Sequence, residues 1–139
     1  MPNTNPPYTN SPDTYPTDGA FSGPEISLSP SYSDDRGTLV TTEFADVPFA
    51  VSRVFTVRGP NGGSVRGNHA VNGAQLLVLL SGTVSIENGT DADHLDDAVQ
   101  LSQLGSRILL ADRSYIRYTL PDENASILVL CERPFVARD

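Results

Sequence analysis

The sequence predicts an all-β domain, a small barrel or sandwich, from three observations. Apolar and β-branched residues fall in short runs, each about as long as a single strand. Turn signals rich in Gly, Pro, Asn and Asp separate these runs at close spacing. No stretch shows the sustained period of an amphipathic helix. Many short strands with regular turns are typical of all-β barrels and sandwiches.

The predicted strands all follow residue 36, where turn residues begin to alternate with apolar runs. The run QLLVLL at 75–80 is the most hydrophobic of them. The predicted strands are 38–44, 50–57, 75–80, 83–87, 98–101, 107–110, 115–120 and 126–131. Loops are predicted at 59–63, 81–82 and 121–124, and an acidic loop at 88–97.

The composition changes sharply near residue 35. Residues 1–34 contain seven of the eleven prolines and no arginine. Such a segment buries too little apolar surface to offset the entropy lost on ordering. We therefore predict a flexible Pro-rich N-terminal arm over residues 1–25 and a single folded domain over residues 26–139. Tyr8 and Tyr15 of this arm could still dock on a partner subunit.

Charge and composition exclude several classes of function. The net charge is -8, and the nine basic residues are all arginines without a basic cluster, which makes nucleic acid and anionic membranes poor partners. No apolar run approaches the roughly 20 residues that span a bilayer, and no secretory leader is recognisable. A soluble cytoplasmic protein is expected. The single cysteine, Cys131, excludes an internal disulfide and is expected to be a small buried hydrophobe.

Polar residues on otherwise apolar strands are the candidate functional residues, because small barrels bind ligands in their mouths. The segment RGNHA at 66–70 is the most unusual, since it joins a Gly-rich loop to the most hydrophobic strand. Arg66 could hold a phosphate or carboxylate, and the His69 imidazole could accept a proton near neutral pH. Alternatively, His69 only packs at a strand end and bonds the backbone. The other candidates are Arg53, Gln75, Arg107, Tyr115, Arg117 and Tyr118.

A metal site has little support in the sequence. The chain has only two histidines, His69 and His94, and Val71 stands where a His-x-His pair would need its second member. The acidic run at 91–97 lacks the regular ligand spacing of a calcium loop and is expected to be solvated. We predict neither a metal nor any other cofactor.

Several short motifs, taken in order, resemble the cupin family of dTDP-4-oxo-6-deoxyhexose 3,4-ketoisomerases, the WxcM-like sugar isomerases. They are DRGTL at 35–39, VPF at 47–49, RV at 53–54, RGNHA at 66–70, Gln75 and SG at 81–82. The similarity covers residues 34–139. It implies a jelly-roll barrel without a metal, and a homodimer that exchanges N-terminal strands. It also implies a dTDP-sugar substrate whose carbonyl moves from carbon 4 to carbon 3 through an enediol.

The resemblance also implies roles for individual residues. His69 matches the first histidine of a His-Ala-His pair that shuttles protons, and it becomes the base. Arg66 matches the arginine three residues before it, and Tyr115 lies where the family often has a tryptophan near the pocket. Arg53 and Gln75 also match residues of the family pattern. We predict that substrate is bound by Arg53, Arg66, Asn68, Gln75 and Arg117, and that in a sugar-nucleotide isomerase Arg66 and Arg117 pair with the diphosphate.

The main departure from the family pattern is Val71, which replaces the second histidine and cannot transfer a proton. Three readings follow. The first is a sugar-nucleotide isomerase in which His69 serves both steps, or Tyr115, Tyr118 or a water supplies the acid. The second is a cyclase or isomerase of a less polar natural-product intermediate, which Phe55 and Val71 would suit. The third is a non-catalytic ligand-binding cupin.

Overall fold

A computed structural model describes residues 26–135, and this part of the chain is built almost entirely of β-strands. The strands are β1 (Ile26–Leu28), β2 (Ser31–Asp34), β3 (Gly37–Val40), β4 (Arg53–Arg58), β5 (Ser64–Ala70), β6 (Gln75–Ser81), β7 (Val84–Asp91), β8 (His94–Leu95), β9 (Val99–Leu101), β10 (Ser106–Leu110), β11 (Tyr115–Leu120) and β12 (Ser126–Cys131). A short 3-10 helix, Phe44–Asp46, precedes β4. Within 26–135 no helix is long and apolar enough to cross a membrane.

The strands form two large antiparallel sheets and one hairpin. The first sheet has the order β1-β10-β6-β12-β4. The second sheet has the order β5-β11-β7-β8, with β9 also paired to β7, and β2 pairs only with β3. Apart from the consecutive strands β7 and β8, neighbours in the two large sheets are distant in sequence, as in a jelly roll. This architecture is that of a cupin barrel, so the predicted all-β jelly-roll fold is confirmed.

The interior of the barrel is a single apolar cluster drawn from both sheets. In β11 the buried side chains are Ile116, Tyr118 and Leu120, and the residues between them are only half-buried. This two-residue alternation puts one face of the strand in the core. The other sheet contributes buried residues such as Leu77 and Val129 to the same cluster. The two sheets therefore face each other across the core.

A second apolar cluster covers the outer face of the first sheet. Leu76 and Val78 of β6 and Leu130 of β12 pack there against Val47, which lies before β4. Strand β6 is thus buried on both faces, which explains its uninterrupted apolar sequence. Burying each large apolar side chain stabilises the fold by about 1.5–3 kcal/mol.

The predicted strands agree best with the structure near the C-terminal end of the domain. Strands β11 and β12 have the predicted bounds, 115–120 and 126–131. The predicted strand at 38–44 is shorter than expected, because β3 ends at Val40 and the chain then enters the 3-10 helix. The predicted loop at 88–97 is largely a hairpin in which β7 continues to Asp91 and pairs with β8.

Strands β1, β2, β5 and β8 were not predicted. Strand β5 contains Gly67 and Asn68 in its middle, and both residues disfavour strands. Cross-strand pairing to β11 overrides that local preference. The predicted flexible arm, residues 1–25, lies outside the described residues, as do residues 136–139, and the domain boundaries stay a prediction.

Candidate active site

His69, which is half-buried, and Arg66, which is exposed, both lie on the inner face of the second sheet, although they are three residues apart in β5. His69 pairs with Ile116, and Arg66 pairs with Tyr118. Ile116 and Tyr118 belong to the interior cluster. Directly opposed residues of an antiparallel pair place their side chains on the same face of the sheet. The imidazole and the guanidinium therefore share the inner face, which regular alternation along β5 would not allow.

A β-bulge at Gly67 and Asn68 brings this about. Gly67 lies opposite Arg117 and His69 lies opposite Ile116, so that Asn68 is an extra residue in the strand. Both residues have positive φ, 86° at Gly67 and 61° at Asn68. A Cβ atom at position 67 would lie 2.8 Å from the carbonyl oxygen of Ile116, which explains the glycine. Asparagine tolerates a positive φ better than most residues.

The backbone fixes the orientation of the His69 ring. Its Nδ1 lies 2.9 Å from the carbonyl oxygen of Ala70. A carbonyl oxygen only accepts, so Nδ1 carries a hydrogen and donates. In the neutral ring, Nε2 is then the nitrogen with a free lone pair. The half-buried imidazole thus presents a proton acceptor on a strand whose face turns to the interior.

Arg53 and Gln75 face the interior from the opposite sheet. Cys131 pairs with Arg53 on one side and with Gln75 on the other, and it belongs to the interior cluster. The Arg53 guanidinium carbon lies 4.9 Å from the ring centroid of Phe55 and 5.3 Å from that of Phe135. These cation–π contacts hold the guanidinium in place. The buried Nε of Arg53 has no hydrogen-bond partner among the described residues.

Burial raises the pKa of the Cys131 thiol, and the nearby Arg53 offsets this shift in part. We expect Cys131 of the folded protein to react slowly with iodoacetamide at pH 8, because the side chain is 1% exposed and its thiolate is disfavoured. Mass spectrometry of native and urea-unfolded protein checks this. Alkylation at equal rates in the two states would contradict the burial of the thiol.

Val71 is the first residue after β5. Its side chain is 2% exposed and packs in the interior cluster two residues after His69. The position that the resemblance assigns to a second imidazole therefore contributes only apolar surface to the barrel interior. His69 is the one imidazole on the inner face of β5.

Tyr115 and Arg117 lie on the outer face of the second sheet, because they alternate with the inward residues of β11. The Nε of Arg117 donates a 2.7 Å hydrogen bond to Oδ1 of Asn68. Its Nη1 lies 3.7 Å from Oε1 of Glu87, also on this face. Asn68, Tyr115 and Arg117 thus lie on the other side of the sheet from His69.

The structure therefore divides the predicted site residues into two groups. The inner faces of the two sheets carry Arg53, Arg66, His69, Gln75 and Tyr118. The outer face of the second sheet carries Asn68, Tyr115 and Arg117. The sequence alone did not connect Cys131 or Phe135 with Arg53. Alternation in β12 supplies a signal for Cys131, which is in phase with the buried Ile127 and Val129, but no sequence signal identifies Phe135.

Arg107 was also a candidate, and it lies elsewhere. It is 1% exposed and pairs with Val78, whose side chain belongs to the outer cluster of the first sheet. Its Nε donates a 3.2 Å hydrogen bond to Oγ of Ser27 on the edge strand β1. Arg107 is therefore placed to anchor β1, on the opposite side of the first sheet from the interior. Residues 26–135 contain no group of three His, Cys, Asp or Glu side chains placed to hold a metal ion.

The barrel fold, with a histidine and two arginines on the inner faces of its sheets, defines a cupin with a candidate small-molecule site. The family model described as FdtA, WxcM-like, C-terminal matches residues 23–139. The chain belongs to this family. No curated protein is significantly similar to it.

Solved structures of sugar 3,4-ketoisomerases share this fold. QdtA from Thermoanaerobacterium thermosaccharolyticum, in complex with TDP, is 20% identical with a TM-score of 0.73, over 84% of this chain and 85% of that chain. WlaRB, a TDP-quinovose 3,4-ketoisomerase from Campylobacter jejuni, is 22% identical with a TM-score of 0.72, over 84% and 90% of the two chains. ChmJ, a 3'-monoepimerase from Streptomyces bikiniensis in complex with dTDP-quinovose, is 16% identical with a TM-score of 0.70, over 82% and 66%.

Proposed function

We propose that this protein is a sugar-nucleotide isomerase that acts on a dTDP-4-keto-6-deoxyhexose in deoxysugar biosynthesis. The inward-facing pair of His69 and Arg66 carries the proposal. Family membership supports it, as do the ligands of the similar structures, which include TDP-4-keto-6-deoxyglucose in a QdtA mutant. The predicted homodimer and cytoplasmic location stay predictions.

The chemistry needs a base beside the substrate carbonyl and cations near its negative charges. Nε2 of His69 removes the proton from carbon 3 of the sugar, and the electron pair forms an enediolate with the carbonyl at carbon 4. Transfer of the hydroxyl proton from oxygen 3 to oxygen 4, together with return of a proton to carbon 4, leaves the carbonyl on carbon 3, so the substrate and product are isomers. Arg66 and Arg53 supply guanidinium groups that suit a diphosphate or an enediolate oxygen.

The second proton transfer needs a donor, since Val71 cannot provide one. Tyr118 is the predicted acid whose side chain belongs to the barrel interior, and it lies opposite Arg66. His69 itself could also serve the second step, after its proton has exchanged with solvent, if both carbons lie within its reach. Tyr115 lies on the outer face, so we assign the acid role to Tyr118 or to His69.

Hydrogen exchange in deuterium oxide tests this function. We expect NMR to show deuterium at carbon 3 or carbon 4 of dTDP-4-keto-6-deoxyglucose, together with a 3-keto product. The control ligand, dTDP-glucose, has no keto group and should not exchange. Binding without exchange would contradict the proposal and favour a non-catalytic cupin. If the protein neither binds the nucleotide sugar nor catalyses exchange, the substrate assignment is wrong.

A second candidate is an isomerase or cyclase of a less polar natural-product intermediate. It is favoured by Val71, which lies within the interior cluster, and by Phe55, which packs against it. An apolar ligand in a barrel gains affinity from such surfaces. Stabilisation of the protein by apolar carbonyl compounds in a thermal-shift screen, with no response to dTDP, would favour this candidate over the nucleotide sugar.

A further inference from the structure

A side chain of β11 contacts the bulge in β5 on the outer face of the second sheet. Arg117 of β11 lies opposite Gly67, the first bulge residue. Its guanidinium bonds the side chain of Asn68, the second bulge residue, through Nε at 2.7 Å. A charge-assisted hydrogen bond of this length is among the stronger side-chain contacts. It links the extra residue of β5 to the strand beside it.

The Arg117 guanidinium also lies near a carboxylate, on the side away from Asn68. Glu87 of β7 lies opposite Arg117, and the closest charged atoms of the two side chains are 3.7 Å apart. Both side chains are about one-third exposed, so solvent screens this ion pair in part. Asn68, Arg117 and Glu87 thus form a row across three strands on the outer face. We call these three residues the outer clamp.

The bulge determines which way the site residues point. In a regular strand, residues three apart lie on opposite faces, so either Arg66 or His69 would turn outward. Because Asn68 is an extra residue between them, the side chains of Arg66 and His69 lie on the same face of the sheet. The backbone φ is 86° at Gly67 and 61° at Asn68. Such values are unfavourable for most residues and need support from the surroundings.

We propose that Arg117 is a positioning residue: through Asn68 it holds the bulge that turns Arg66 and His69 together into the barrel. The proposal rests on the proposed function for its effect on catalysis. Its structural part does not depend on the substrate. A direct contact between Arg117 and the substrate diphosphate, the role predicted for it in a sugar-nucleotide isomerase, would require the guanidinium to act from the opposite face of the sheet.

Three variants separate the hydrogen bond from the backbone conformation. Arg117→Met removes the donor but keeps an unbranched side chain. Asn68→Gly removes the acceptor while its backbone tolerates a positive φ. Asn68→Asp keeps an acceptor oxygen and is the conservative replacement. The matched control is Arg58→Met, which removes an exposed arginine from β4 in the other sheet.

Two measurements are made on each variant, and both use the full chain. NMR records the cross-strand contacts between His69 and Ile116 and between Arg66 and Tyr118, along with the chemical shifts of the His69 ring protons. Hydrogen exchange into dTDP-4-keto-6-deoxyglucose records the catalytic effect. We expect Arg117→Met and Asn68→Gly to weaken the cross-strand contacts, change the ring proton shifts and slow exchange about 10- to 100-fold. Asn68→Asp and Arg58→Met should stay within about threefold of the unmodified protein.

Different outcomes reject different parts of the proposal. Unchanged cross-strand contacts in Arg117→Met and Asn68→Gly would overturn it, even if exchange slows, because Arg117 would then act by another route. Lost contacts with unchanged exchange would overturn the link to catalysis. If the unmodified protein shows no exchange at all, the proposed function fails, and the cross-strand contacts and the His69 ring proton shifts still decide whether the outer clamp holds the bulge. If Arg117→Met does not fold, Asn68→Gly alone decides the outcome.

Discussion

Replacing His69 by asparagine is expected to slow hydrogen exchange in the nucleotide sugar by roughly 100- to 10,000-fold. Asparagine is polar and of similar width, but its amide cannot accept a proton near neutral pH. The side chain would still lie on the inner face of β5, opposite Ile116. The rate of deuterium incorporation, measured by NMR on matched amounts of the two proteins, gives the ratio directly.

His94→Asn is the control for this loss. His94 is the other histidine of the chain, and its exposed Nδ1 pairs with Asp91 in the β7–β8 hairpin. The same substitution there should leave the exchange rate within about twofold, because it is a surface change away from the barrel interior. Equal losses in the two variants, or less than a tenfold loss in His69→Asn, would remove His69 from the role of base.

Replacing Leu77 by alanine is expected to cost about 2–5 kcal/mol of unfolding free energy. Leu77 is 1% exposed and lies in the middle of β6, between Ile108 of β10 and Val129 of β12. Both neighbours belong to the interior cluster, so truncation leaves a cavity that rigid sheets cannot fill. Urea unfolding followed by far-UV circular dichroism measures the change.

The matched control for this prediction is Leu80→Ala in the same strand. Leu80 is 39% exposed, so the substitution removes much less buried surface. We expect a loss below about 1 kcal/mol. Similar losses at the two positions would show that the interior cluster does not carry the stability of the barrel. A loss near 5 kcal/mol could unfold the domain outright, since small domains have about 5–15 kcal/mol in total.

The sequence predicted the strands whose alternation is local and clear. In β11, Ile116, Tyr118 and Leu120 alternate with more polar residues, and in β12 a continuous apolar run follows Ser126. Both strands were predicted with their correct bounds. Strand β5 was missed, because Gly67 and Asn68 interrupt its pattern and only pairing with β11 makes the segment a strand.

The candidate residues were also easier to find than to orient. Tyr115, Arg117 and Tyr118 are close in one strand, yet Tyr118 faces the core and the other two face outward. The row of Arg53, Cys131 and Gln75 comes from three strands that are far apart in the sequence. No local pattern could place these three side chains side by side.

The sequence by itself determined the all-β class, the buried strand β6 and the prominence of His69 and Arg66, because composition and alternation are local properties. Only the tertiary structure decided which side chains share the barrel interior. The face that a strand residue occupies depends on its register with a distant partner, and one extra residue reverses it. In this protein that extra residue is Asn68, which forms the bulge together with Gly67. It places Arg66 on the same side of the sheet as His69.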